Sequence, residues 1–155
     1  ILGIIYSPIS KDFYYSFKNS GAFLLKENSE PKKITAQKMS NTNPNKIFTS
    51  ASIRETVLEV LAGSIVNYEF IKQSSALKFG NIASGRGCFY PRLGPTHEWD
   101  TAAGQVLVEE AGGIVVDKFM KPLRYNKNKI FLNKEFFVIS DPDYDWESII
   151  NAIFE

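Results

Sequence analysis

The side chains best suited to chemistry in this sequence are Asp100, Ser75, Lys78 and Arg92. Asp100 stands in HEWDTAAGQVLVEEAGG, ahead of small and apolar residues that end in Gly-Gly. An acid near the first turn of a helix offsets the positive end of the dipole by about 0.3–1 kcal/mol, and alone that structural role is favoured. Its neighbours point further. Trp99 offers an apolar body beside the acid, while Ala102, Ala103 and Gly104 let another segment or a ligand come close. A carboxylate held over small residues suits a hard divalent cation, which prefers oxygen.

Ser75 and Lys78 lie in QSSALKFGNIASG. Ser74 or Ser75 can cap the helix expected to follow. Lys78 fits a purely structural role less well, because a cation in a first turn faces the positive end of the dipole. A bound anion removes that conflict, and a helix start, a hydroxyl and an ammonium together make a phosphate seat. The alternative is a solvated lysine. Arg92 sits between Pro91 and Pro95, which stiffen its segment. It is either a surface ion pair, worth little, or a fork for a phosphate. His97 is the only histidine, so no histidine-based metal cluster can form, and no nucleophile elbow accompanies it. It reads as a turn residue near the site. Phe13, Tyr14 and Tyr15 read as strand packing, without the basic interleaving of nucleic-acid sheets.

The elements that must position these residues come next. Leu2 to Tyr6 reads as a buried strand, Asp12 to Lys18 as an aromatic-rich one, and Asn19-Ser20-Gly21 as a turn into a third, Ala22 to Lys26. Together they form an antiparallel meander whose first member is expected to pair with something upstream. A short strand falls near Lys33 to Thr35, and SNTNPN is a loop. Strands are expected at Lys46 to Thr49, Tyr68 to Ile71, Gly87 to Tyr90, Gly113 to Val116 and Phe136 to Ile139. Helices are expected at Ile53 to Leu61, with Ser52 as candidate N-cap and Gly63 beyond the end, and at Ala76 to Ser84, stopped by Gly85. The clearest helix is Glu98 to Ala111, with Trp99, Ala102, Ala103, Val106 and Leu107 on one face and Gly112 just past its end. Trp146, Ile149, Ile150 and Ile153 mark a final amphipathic helix. The alternation argues for α/β (α+β) architecture, a sheet with helices packed on it.

Composition sets outer bounds. The chain has 155 residues, 44% hydrophobic and 23% charged, enough for one sizeable core. Eighteen basic residues against 17 acidic ones leave a net charge of +1, which gives no reason to expect a nucleic-acid binder. The single cysteine, Cys88, makes no internal disulfide, reads as a small core residue and fits a reducing compartment. No apolar run reaches the roughly 18 residues of a membrane span. The sequence opens inside an apolar strand, ILGIIYSP, which reads as a fold cut open, so a fragment is expected.

At EWDTAAGQVLVEEAGG the sequence resembles the C-terminal signature of the inositol monophosphatase-like superfamily, WDxAAGxxLVxEAGG. Around it, SSALKFGNIASGRGCFYPRLGPTHEWDTAAGQ is similar to the bisphosphate nucleotidase branch, in its bacterial CysQ type. KPLRYNKNKIFLNKEFFVIS resembles that branch's closing segment, and the opening LGIIYSP…DFYYSFKNSGAF the strands after the family's first acidic motif. The likeness runs from about Leu2 to Ile139. It implies a layered αβαβα sugar-phosphatase fold. Residues 1–44 would then end a metal-binding first domain, and residues 45–155 would form a second α/β domain carrying the nucleotide-facing residues. It implies Mg²⁺-dependent removal of the 3′-phosphate from adenosine 3′,5′-bisphosphate, a by-product of sulfur assimilation. In that family the acid matching Asp100 is a metal ligand close to the departing ester. The residues matching Ser75, Lys78 and Arg92 contact the nucleotide and its phosphates. The expected compartment is the cytoplasm, with peripheral association with the inner membrane as a variant.

One departure is large. The family also uses an upstream Glu-Glu pair and a DPxDG[ST] motif for most of its metal ligands, and neither precedes the C-terminal signature in this sequence. SDPDYD, Ser140 to Asp145, has Tyr144 and Asp145 where Gly and Thr or Ser belong, and reads as the turn into the last helix. The expectation is therefore the nucleotide-facing portion of an enzyme whose two or more Mg²⁺ ions need ligands from elsewhere, inactive alone. A missing N-terminal chain or segment, and a homo-oligomer, are the expected protein partners. Two other readings stay open: a sibling phosphatase for inositol phosphate or a sugar bisphosphate, and a non-catalytic product that only binds phosphate ligands or a partner.

Overall fold

A computed structural model gives the fold and describes residues 1–127 and 129–155. The first sheet is an antiparallel meander in the order β1-β2-β3-β4, built from β1 (Leu2–Tyr6), β2 (Phe13–Phe17), β3 (Gly21–Leu25) and β4 (Lys32–Ile34). The second sheet is mixed, in the order β6-β5-β7-β11-β9. It comprises β5 (Asn45–Thr49), β6 (Tyr68–Lys72), β7 (Phe89–Arg92), β9 (Ile114–Val116) and β11 (Phe136–Ile139). Its β5 pairs parallel with β6 and β7, and β11 pairs antiparallel with β7 and β9. A two-residue ribbon joins β8 (Thr96–His97) to β10 (Leu132–Asn133). The helices are α1 (Glu55–Ser64), α2 (Leu77–Ala83), α3 (Ala102–Glu110) and α4 (Trp146–Phe154), and Glu98–Asp100 form a single 3-10 turn.

Period-two alternation explains the first sheet. Tyr14 and Ser16 of β2, with Ala22 and Leu24 of β3, turn inward and are buried. Tyr14, Ala22 and Leu24 join a core with Phe79, Ile82 and Ala83 of α2, Leu107 and Val108 of α3, and Tyr90, Val115, Phe136 and Val138 of the mixed sheet. The other face of the mixed sheet, through Ile47, Phe89, Phe137 and Ile139, forms a second core with Val57 and Leu61 of α1 and Trp146, Ile149, Ile150 and Ile153 of α4. The layers therefore run sheet, α2 with α3, sheet, α1 with α4, an α/β arrangement. Cys88 is fully buried in the second core. No helix among the described residues is long and apolar enough to cross a membrane.

Several local expectations are corrected. Leu2–Tyr6 is not a buried strand: only Gly3 and Ile5 face inward, while Leu2, Ile4 and Tyr6 are exposed. The helix expected from Ile53 starts at Glu55 and runs past Gly63 to Ser64, and no side chain caps it, so Ser52 is not its N-cap. The helix expected over Glu98–Ala111 is two pieces, because Glu98–Asp100 is a tighter turn and α3 begins at Ala102. That break turns Trp99 away from the core, where it is 67% exposed and stacked on His97 at 4.2 Å. The buried face of α3 is Gly104, Gln105, Leu107 and Val108 instead. Gly112 does take the left-handed conformation expected just past that helix, with φ 95°. SDPDYD is the lead-in to α4: Asp145 caps the helix by accepting from Ser148 N, and Asp141 accepts from Met39 N and Lys38 Nζ.

Candidate active site

The central strand of the mixed sheet supplies one wall of a cleft. Tyr90 and Arg92 lie two residues apart on β7, so both project to the face that α2 and α3 cover. Lys78 comes from the first turn of α2 and Asp100 from the end of the 3-10 turn before α3. With Ser75, Ala76, Phe79, Thr96, Thr101 and Phe136 these residues line a cleft of about 390 Å³. The structure thus brings Ser75, Lys78, Arg92 and Asp100 to one place.

Lys78 is not a solvated lysine. It is 3% exposed, and its ammonium donates to Gln73 O at 3.0 Å and Ser75 O at 3.1 Å. It also lies 4.5 Å from the centroid of the Tyr90 ring. Burial, with the nearby Arg92 charge second, pulls its pKa down to about 8. The approach to α2 is bent to allow this. Ser75 takes a left-handed φ of 66°, which costs a non-glycine residue about 1–2 kcal/mol. Neither Ser74 nor Ser75 is the N-cap. That position is Ala76, which has no side-chain cap, and Ser75 Oγ accepts only a long 3.4 Å bond from Leu77 N.

Arg92 is not a surface ion pair. Its Nε donates to Thr96 Oγ1 at 2.8 Å and its Nη2 to Pro95 O at 3.2 Å. Among the described residues, neither Lys78 nor Arg92 forms a salt bridge. Both cations therefore face the cleft with their charge uncompensated by a carboxylate. Tyr90 closes the floor with Phe79 and Phe136, edge-on to both at 5.9 and 5.8 Å. Burial, the largest cause, pushes its phenol up to about 12, so it stays protonated.

Asp100 is exposed, and its Oδ2 accepts from His97 N at 3.3 Å, tying the 3-10 turn closed. Behind it, buried Thr101 donates to Glu98 O at 3.1 Å and accepts from Asn133 Nδ2 at 2.8 Å. Glu98 in turn accepts from Asn126 N at 2.6 Å. The segment around β10 thus fixes where Asp100 stands. His97, expected near the site, lies at its edge on β8.

A divalent metal needs more than this cleft offers. Asp100 is the one carboxylate on its lining, and among the described residues no three His, Cys, Asp or Glu side chains stand together as a metal site. Mg²⁺ demands near-octahedral oxygen coordination, which a lone carboxylate does not organise. The described residues do not by themselves fit a metal centre.

Sequence reasoning missed Tyr90, Thr96 and Thr101. Tyr90 was within reach, because period two puts it on the same face as Arg92. Thr96 and Thr101 were missed because their roles rest on contacts to Arg92 and to Asn133 that only the folded backbone brings together.

Comparisons with known proteins bear on the family and the fold. The model of the inositol monophosphatase family matches residues 1–147. The chain is 34% identical over 150 residues to the 3′(2′),5′-bisphosphate nucleotidase CysQ of Haemophilus influenzae, covering 96% of this chain and 55% of that protein. It is 35% identical over 154 residues to CysQ of Aggregatibacter actinomycetemcomitans, covering 98% of this chain and 56% of that one. The crystal structure of CysQ from Bacteroides thetaiotaomicron superposes with a TM-score of 0.77 at 28% identity, over 92% of this chain and 59% of that one. An inositol monophosphatase from Zymomonas mobilis shares the fold with a TM-score of 0.77 at 20% identity, over 100% of this chain and 58% of that one. The chain spans about half the length of the curated relatives it matches. A family match across nearly the whole chain, on a fold that gathers the signature aspartate with two uncompensated cations, leads to one assignment: the chain belongs to the inositol monophosphatase family.

Proposed function

We propose that the cleft is the nucleotide-facing part of a Mg²⁺-dependent 3′(2′),5′-bisphosphate nucleotidase, whose substrate is adenosine 3′,5′-bisphosphate. The observation that carries this reading is the pair of cations. Lys78 and Arg92 line one cleft without a carboxylate partner, which suits a ligand with more than one phosphate. The relatives named as CysQ favour the nucleotide over an inositol phosphate.

In this reading Lys78, Arg92 and Ser75 hold the nucleotide and its phosphates, and Asp100 stands at the phosphoryl group that leaves. Water adds to phosphorus, the ester P–O bond breaks, and the products are inorganic phosphate and the nucleoside 5′-monophosphate. Asp100 would be one ligand to magnesium, which needs further carboxylates that the described residues do not bring to the cleft. Bound magnesium would supply an activated water and shield the phosphate charge. Residues 1–44 belong with the metal-binding domain and residues 45–155 with the nucleotide-facing one. The unpaired Cys88 fits a cytoplasmic location.

Phosphate release tests the reading. The full-length enzyme should hydrolyse adenosine 3′,5′-bisphosphate in preference to inositol monophosphate, and the 155-residue chain with added Mg²⁺ should release none. A preference for inositol monophosphate would assign the sibling activity. Robust turnover by the chain alone would contradict the account of its carboxylates.

A further inference from the structure

Lys78 and Arg92 are anchored by neutral groups. The Lys78 ammonium meets the Gln73 and Ser75 carbonyls and the face of Tyr90. Arg92 donates to the Thr96 hydroxyl and the Pro95 carbonyl. Asp100, the acid on the same lining, gives an oxygen to the His97 N–H. Carboxylates could anchor both cations as firmly, but they would cancel the charge an anion needs. Neutral acceptors and a ring face orient a cation without discharging it.

We propose that Tyr90 and Thr96 are positioning residues, which fix Lys78 and Arg92 in the cleft while leaving both charges free for an anionic ligand. The identity of that ligand rests on the nucleotidase reading, whereas the positioning itself does not.

Two features support the assignment. The Tyr90 ring cannot readily turn away, because it is packed edge-on against Phe79 and Phe136, which stack on each other at 6.0 Å. Its phenol stays neutral, so it adds no negative charge beside the lysine. Thr96 is held by strand pairing, opposite Asn133 in the β8–β10 ribbon, so its hydroxyl meets Arg92 Nε from a fixed backbone. The charged and titratable groups that line the cleft with Lys78 are Tyr90 and Arg92 from β7 and Asp100 from the 3-10 turn. The ring face favours the ammonium over the amine, opposing the effect of burial.

The test uses the 155-residue chain with ¹³C-labelled lysine, and follows the Lys78 titration by NMR without ligand. Tyr90→Phe keeps a ring face and should leave the midpoint in place. Tyr90→Leu should lower it by about half to one and a half pH units. Tyr90→Met serves the same comparison if the leucine variant does not fold, as judged by thermal melting. For Thr96, calorimetry with adenosine 3′,5′-bisphosphate should show Thr96→Val binding roughly three- to thirtyfold more weakly, with Thr96→Ser restoring the affinity. An unchanged midpoint in the leucine and methionine variants, or wild-type affinity in Thr96→Val, would overturn the proposal. If the wild-type chain binds no nucleotide, the nucleotidase reading fails. The ligand-free lysine titration then still decides the role of Tyr90, and the solvent-exchange rate of the Arg92 Nε–H, slow in wild type and fast in Thr96→Val, decides that of Thr96.

Discussion

Phe79 presses its ring onto the backbone of Gly104: a Cβ placed on Gly104 would lie 2.4 Å from Phe79 Cγ. At this point α2, which carries Lys78, meets α3, whose start follows Asp100. The glycine of the WDTAAG string is therefore a spacing device, setting how near the lysine-bearing helix comes to the aspartate. Gly104→Ala should destabilise the chain by about 1–3 kcal/mol, since the ring or the helix must move. Urea unfolding checks this, and a change under about 0.5 kcal/mol would mean the contact has slack.

Glu110 closes the first sheet onto α3 in a different way. Its carboxylate accepts from Asn19 N at 2.8 Å, Ser20 N at 3.1 Å and Gly21 N at 2.9 Å, filling the β2–β3 turn. These bonds, that from Asn19 first, hold its pKa below the ordinary 4.5. The folded state therefore binds this proton less readily than the unfolded one. The stabilisation is present above the ordinary value and lost as pH falls through the lowered one. Glu110→Gln should melt lower than wild type at neutral pH, and the gap should close in acid. A gap that persists unchanged at low pH would mean the carboxylate charge is not what holds the turn.

Lys78 titrates in the opposite sense to an ordinary paired lysine. Its folded value of about 8 lies below the unpaired 10.5, so between the two the unfolded chain holds more protons. Stability should rise with pH across that window, and that gain should be lost as pH falls toward 8. Lys78→Met should abolish that slope in melting temperature measured from pH 8 upward. An anion in the cleft favours the charged form, so nucleotide affinity should decline as pH rises above about 8. Affinity that is flat across the window would place the ammonium outside the binding site.

Under the proposed function, the cations and the acid should separate kinetically. Lys78→Ala and Arg92→Ala should chiefly raise KM for adenosine 3′,5′-bisphosphate, each by roughly 10- to 100-fold, because each removes charged hydrogen bonds to the ligand. Asp100→Asn should chiefly lower kcat. Steady-state kinetics of the three variants decides this. Equal effects on both parameters in all three would count against the assigned roles.

Much of this site could be read in the residues themselves. The dipole conflict at Lys78 and the fork at Arg92 left an anion seat open beside a solvated lysine and a surface ion pair, and the cleft joins both residues to Ser75 and Asp100. What escaped was local geometry. Counting at 3.6 residues per turn placed Trp99 on the apolar stripe of one long helix. Instead the Thr101–Asn133 hydrogen bond and the β8–β10 ribbon hold a 3-10 turn ahead of α3 and leave Trp99 in solvent. That partner lies far along the chain, where periodicity has no reach. The apolar run at Leu2–Tyr6 likewise could not say that only one of its faces is covered. Tyr90 was passed over although period two places it beside Arg92, because a tyrosine on a central strand reads as core until the ammonium above it is seen.

Calorimetric titration of the 155-residue chain with adenosine 3′,5′-bisphosphate tests the central claim most directly. The account predicts saturable one-to-one binding in the absence of Mg²⁺, weakened roughly tenfold or more in Lys78→Ala and in Arg92→Ala. No saturable heat, or equal affinity in the wild type and both variants, would contradict it.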